Sequence, residues 1–165
     1  LILFAWLLKS VILTGNLVVA ICGGAPFLFG ALVSGNIHAG WLPFLLAAPV
    51  HFIREIVKDV EDLEGDRQSG RKTLPVVISA VTTLRTTGVL MLFVAVLLLV
   101  PYFTGMVTWH YLAITVTLVS FPLAFWAGGL MIYPDKSNIT KIQTGLKWIM
   151  LPGMIAIFLG VILRS

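Results

Sequence analysis

The residues most able to do chemistry lie in one short stretch, Arg54-Glu55-Ile56-Val57-Lys58-Asp59-Val60-Glu61-Asp62-Leu63-Glu64-Gly65-Asp66-Arg67. It holds six of the seven acidic residues in the chain, Asp135 being the seventh. On a continuous helix at about 100° per residue, with Asp59 at zero, Asp62 falls near ~300°, Glu55 near ~320° and Asp66 near ~340°. Glu61 and Glu64 point nearly opposite. The spacing therefore predicts three aspartates, Asp59, Asp62 and Asp66, on one helical face. Gly65 is the weak point, because it is placed to end the helix before Asp66.

Bunched carboxylates repel one another unless a cation neutralises them. Oxygen ligands with no His or Cys beside them suit a hard ion, and magnesium prefers a few carboxylates completed by water and phosphate. The neighbouring Arg67, Arg71 and Lys72 supply positive charge for phosphate oxygens. The pattern fits a Mg²⁺–diphosphate site better than a general acid–base pair. A solvated, salt-bridged loop is the structural alternative.

The elements that must carry this stretch are membrane spans. Of 165 residues, 59% are apolar and 11% charged, against roughly 25% charged in a soluble domain. Mean hydropathy is +1.03. A water-soluble globule is excluded, since too little polar surface exists to cover such a core. The single cysteine, Cys22, excludes an intrachain disulfide framework and a multi-cysteine metal site. A spanning helix needs about 20 apolar residues. That criterion gives an all-α, polytopic transmembrane bundle with five full spans, at residues 16–34, 41–57, 82–103, 107–132 and 142–163. Residues 1–8 form the tail of a sixth, partial span. The acidic stretch begins where the second full span ends, and ionisable groups at a membrane boundary mark function unless they have partners.

Charge sets the expected orientation. Lys9, Arg54, Lys58, Arg67, Arg71, Lys72, Arg85, Lys136, Lys141 and Lys147 fall on one side of the membrane, and of the eleven basic residues Arg164 alone falls on the other. By the positive-inside rule the first side is cytoplasmic. The net charge of +4 is explained by this topology, and no nucleic-acid partner is expected. The connection at residues 133–141 reads as a topology-setting loop, with a rim to the site as its functional alternative.

Competing motifs are weak. Gly65-Asp66-Arg67-Gln68-Ser69-Gly70-Arg71-Lys72-Thr73 nearly spells a P-loop, but Arg71 intervenes before the lysine and a membrane helix precedes it. His38, His51 and His110 are far apart in sequence. From another class, a transporter fragment or a non-catalytic membrane subunit would leave the acidic run as an ion entry or a partner contact. Transporters, however, place ionisable residues near the bilayer midplane.

Lys58-Asp59-Val60-Glu61-Asp62-Leu63-Glu64-Gly65-Asp66-Arg67, followed by Gly70-Arg71-Lys72-Thr73-Leu74-Pro75, resembles the second aspartate-rich motif of the UbiA superfamily of intramembrane prenyltransferases. Leu8-Lys9 and Gly15-Asn16 resemble the cytoplasmic connection before that family's fifth helix. The hydropathy layout resembles the C-terminal part of its nine-helix bundle. The resemblance implies an integral membrane enzyme of the cell membrane, its active-site loop facing the cytoplasm, that moves a prenyl group from an isoprenoid diphosphate to an acceptor. It implies Mg²⁺ held by Asp59, Asp62 and Asp66, and diphosphate contacts from Lys9, Arg67, Arg71 and Lys72. The family's first motif, N-D-x-x-D-x-x-x-D, is absent from these residues. The chain is therefore expected to be the C-terminal part of a UbiA-like domain, inactive alone. The motif version is most similar to the branch that transfers geranylgeranyl to geranylgeranylglycerol phosphate, with an aromatic acceptor of quinone biosynthesis as the alternative.

Overall fold

The computed structural model describes residues 12–164, all helix, turn and short connection. The partial span at residues 1–8 and Lys9 lie outside the described residues. Among the described residues, five helices are long and apolar enough to cross a membrane. They are α1 (Thr14–Val33), α2 (His38–Glu61), α5 (Ala80–Phe103), α6 (Trp109–Ile132) and α7 (Lys136–Ile162). Between α2 and α5 lie two short helices, α3 (Leu63–Gln68) and α4 (Leu74–Ile78). The expected spans are recovered in number and order, and one boundary moves in a way that matters. The second helix continues to Glu61, four residues past the expected end, so Asp59 sits on the spanning helix itself.

Each span packs with a narrow stripe and leaves the rest of its surface apolar. Ile53, Val57, Leu84, Met91, Leu123, Leu130, Leu146 and Ala156 form the fully buried heart of the bundle. Phe29, Phe93, Phe121, Phe125 and Phe158 are exposed on its outside. Lipid tails are as apolar as these side chains, so nothing drives them inward, and helix association depends on close packing through small residues. Gly40 on α2 is one such contact: a Cβ there would lie 2.7 Å from the Phe27 carbonyl oxygen and 2.8 Å from the Ala31 Cβ on α1.

Prolines break the regularity where neighbours can absorb the break. In α6, Pro122 is preceded by a π-helical turn, Val116–Ser120. A proline removes one backbone donor and crowds the carbonyl four residues back, and a widened turn relieves that clash. The Ser120 hydroxyl donates to the Ala95 carbonyl at 2.9 Å, tying the turn to α5. Tyr111, fully buried, donates from its hydroxyl to the Leu98 carbonyl at 2.6 Å, where α5 has its own two-residue interruption.

The connection at residues 133–141 is shorter than expected. Helix α7 already starts at Lys136, and the Asp135 side chain accepts from the Asn138 amide at 3.1 Å. Asp135 is thus a helix cap.

Candidate active site

Two helices meet at the acidic stretch. Helix α1 runs away from it and α2 runs into it, so the start of one lies beside the end of the other. Asn16, buried in the second position after Thr14, donates from Nδ2 to Asp59 Oδ2 at 2.6 Å. Asp59 is half-buried and feels the charges of Asp66, Glu55 and Lys58. A carboxylate in that position needs a donor, and the Asn16 amide supplies one.

Helix α2 ends at Glu61, and Asp62 lies at the joint with α3, with φ −89° and ψ 4°. The expected continuous helix is therefore broken at Asp62. Gly65 does not end it, as it lies inside α3. The terminator is Gly70, at φ +68°, which a side chain would resist. The Gly70 amide donates to the Arg67 carbonyl at 3.2 Å and the Arg71 amide to the Asp66 carbonyl at 2.9 Å. These two bonds form a Schellman turn with glycine in the left-handed position. The turn folds the chain back so that Arg71 Nη1 lies 3.2 Å from Asp66 Oδ1.

The three aspartates consequently differ. Asp66 is buried at 3% exposure, Asp59 is half-buried and Asp62 is exposed. Asp59 and Asp66 are near enough for each to act on the other electrostatically. Among the described residues, no three Asp, Glu, His or Cys side chains converge as a ready metal cage. What the fold brings together is a pair, each with one oxygen engaged: Asp59 Oδ2 by Asn16 and Asp66 Oδ1 by Arg71. Their other oxygens take no hydrogen bond from a described residue. An all-oxygen pair of this kind fits part of the shell of a hard divalent ion, the rest coming from water and phosphate.

Of the basic residues expected at the diphosphate, Arg71 holds Asp66, while Arg67 and Lys72 are exposed beside it and Lys9 is outside the described residues. One turn toward the membrane, Arg54 Nη1 pairs with Glu55 Oε1 at 3.0 Å. From α7, the Thr140 hydroxyl donates to Glu61 Oε1 at 2.6 Å. The 133–141 region therefore reaches the acidic stretch through the first turns of α7.

Deeper along α1 and α2 lies a cavity of about 410 Å³. Its walls come from α1, α2, α5, α6 and α7 and are almost wholly apolar; Phe27, His51 and Tyr111 supply its rings. His51 is eight residues below Asp59, about 12 Å along the helix axis. Its ring fills the space that a side chain at Gly23 would need, the would-be Cβ lying 2.6 Å from it. Sequence reasoning left the cavity aromatics unassigned and missed Asn16 as the partner of Asp59. Only the packing of the helices against one another reveals either one.

Residues 1–161 match the UbiA prenyltransferase family. The chain belongs to that family. Among relatives of this UbiA chain, the digeranylgeranylglyceryl phosphate synthase of Methanopyrus kandleri is 38% identical over 155 residues, which cover 93% of this chain and 56% of the relative. The synthase of the same name from Methanosarcina mazei is 37% identical over 163 residues, covering 98% and 55%. That from Halobacterium salinarum is 45% identical over 98 residues, covering 59% and 36%. A solved structure of digeranylgeranylglyceryl phosphate synthase superposes with a TM-score of 0.79 at 28% identity, covering 90% of this chain and 52% of that one. The UbiA chain thus spans about half the length of the relatives it matches most fully. Its five apolar helices and its family make it an integral membrane protein.

Proposed function

We propose that this chain is part of a Mg²⁺-dependent prenyltransferase of ether-lipid synthesis, moving geranylgeranyl from its diphosphate to geranylgeranylglycerol phosphate. The observation that carries the reading is the stacking of two unlike sites on the same two helices. The Asp59–Asp66 pair lies at the membrane boundary, and an apolar cavity opens below it. A prenyl diphosphate has that form, a polyanionic head on a hydrocarbon tail. The relatives named as digeranylgeranylglyceryl phosphate synthases support the acceptor.

In this reading Asp59 and Asp66, with Asp62 at the helix joint, would hold the ion, which would supply positive charge to the departing diphosphate. Arg67, Lys72 and Lys9 are assigned to the diphosphate oxygens, and Arg71, which pairs with Asp66, is assigned to them as well. The bond from C1 of the prenyl group to the diphosphate oxygen breaks, its electron pair leaving with the diphosphate. The acceptor hydroxyl oxygen forms the new bond to C1, and its proton passes to an oxygen of the departing diphosphate. Preorganised positive charge favours the separated state, and the dry cavity keeps water from capturing the allylic cation. The distribution of lysine and arginine supports an acidic roof that faces the cytoplasm. The first aspartate-rich motif is not among these 165 residues, so this reading gives the chain half the metal site and expects residues 1–165 alone to be inactive.

The test is Mg²⁺-dependent prenyl transfer by the full-length protein carrying Asp59→Ala, Asp62→Ala or Asp66→Ala. Loss of at least about a hundredfold is expected, as for removal of a main electrostatic contributor. Retained activity in all three variants overturns the reading.

A further inference from the structure

Several glycines in this bundle have a neighbour in the space a side chain would take. A Cβ at Gly23 would meet His51 at 2.6 Å, one at Gly160 would meet the Tyr111 Cβ at 2.6 Å, and one at Gly88 would meet the Met131 Cγ at 2.8 Å. Gly153 is different. It lines the cavity from α7, yet its nearest would-be contact is Val119 Cγ2 at 3.9 Å. A side chain at Gly153 would project into open cavity without displacing its neighbours. No close helix contact explains this glycine; the open space in front of it does.

Its depth is fixed by a contact at the roof. The Thr140–Glu61 hydrogen bond sets α7 level with α2. Gly153 is thirteen residues beyond Thr140, about 20 Å along the axis, and Asp59 is about 3 Å below Glu61. Gly153 therefore lies about 16 Å deeper than Asp59. A tail running down the cavity from a head at Asp59 meets that level with its distal units, and a geranylgeranyl chain carries two more of these than a geranyl chain.

Resting on the prenyltransferase reading above, we infer that Gly153 is a specificity-determining residue, its missing side chain leaving room for the distal half of a long prenyl tail. The Val119 wall opposite it belongs to the π-helical turn before Pro122, so the two irregular features of the cavity face each other at the same depth. A hydrocarbon tail offers no hydrogen-bonding group by which its length could be read. Discrimination at this level is by shape.

The experiment uses the full-length protein in lipid nanodiscs, wild type and with Gly153→Ala or Gly153→Leu. Gly30→Leu on α1 is the control, since among the described residues a Cβ there meets nothing within 4 Å and Gly30 is absent from the cavity wall. Thermal stabilisation by geranyl, farnesyl and geranylgeranyl diphosphate is measured without acceptor, and turnover is measured with it. Gly153→Leu lowers geranylgeranyl turnover about tenfold or more, as a lost pocket volume does, and removes the extra stabilisation given by the longer tails. It leaves the response to geranyl diphosphate unchanged. Gly153→Ala lies between, and decides the matter if the leucine variant does not fold. Parallel loss for all three tails, no change for any, or the same loss in Gly30→Leu overturns the inference. So does a wild type stabilised equally by short and long tails. A wild type stabilised most by geranylgeranyl diphosphate that forms no prenylated product sinks the proposed reaction and leaves the tail-length role of Gly153 standing.

Discussion

The amide nitrogen of Asn16 lies 2.6 Å from Asp59 Oδ2, across 43 residues of chain. This bond joins the first turn of α1 to the last turn of α2, and it orients the carboxylate that the proposed function needs. It also makes the α1–α2 pair, more than the acidic stretch alone, the unit that builds the site.

Asn16→Ala removes the donor from a half-buried carboxylate. Hydrogen bonds to charged groups contribute about 1.5–3 kcal/mol, so turnover of the full-length protein falls at least about tenfold. Asn16→Asp places a second negative charge against Asp59 and lowers activity further, with part of the loss recovered at high Mg²⁺. Initial rates across a magnesium titration check both outcomes. An Asn16→Ala variant of wild-type rate removes Asn16 from the site.

Gly70 and Arg71 are predicted to act together. A side chain at φ +68° costs about 1–2 kcal/mol, and Gly70→Ala opens the turn that returns Arg71 to Asp66. Hydrogen exchange at residues 66–72 quickens in Gly70→Ala and in Arg71→Ala alike. Global stability falls in Arg71→Ala, because buried Asp66 loses its partner, although screening of the half-exposed guanidinium limits the loss. The Michaelis constant for the prenyl diphosphate rises in both. Unchanged exchange in Arg71→Ala shows that the ion pair does not order the loop.

The close approach of α1 to α2 is sensitive to volume at Gly40. Gly40→Val brings side-chain atoms against the Phe27 carbonyl and Ala31, and overpacking of this kind costs about 1–3 kcal/mol. Thermal unfolding in detergent moves down accordingly. Gly30→Val, at a position where a Cβ meets nothing within 4 Å among the described residues, leaves the midpoint in place.

Orientation is checked by labelling. With Cys22 changed to serine, a cysteine at Lys72 reacts with an impermeant maleimide from the cytoplasmic side alone, and a cysteine at Asn36 from the opposite side alone. Reversed labelling overturns the assignment of the acidic roof to the cytoplasm.

The spans were legible because hydropathy is a local property: five apolar runs in sequence became five spanning helices. The motif was legible for the same reason, since its residues lie within about twenty positions. Asn16 was not legible as a partner, because that contact depends on which helix packs on which. The one-face arrangement of Asp59, Asp62 and Asp66 assumed an unbroken helix, and the joint at Asp62 separates an exposed Asp62 from a buried Asp66. Gly65 was given the role that Gly70 plays because both are plausible stops. The Schellman bonds from Gly70 and Arg71 decide between them. The role of Gly153 is invisible in sequence, where it looks like any small residue at a helix interface.

The arrangement of a charged roof over an oily chamber has a kinetic corollary. A molecule seated with its head at Asp66 and its far end beside Gly153 is already dissolved in the bilayer before it meets the protein. Encounter then follows its mole fraction among the surrounding lipids. Diluting the membrane with inert phospholipid should slow the reaction, while diluting the aqueous suspension should not.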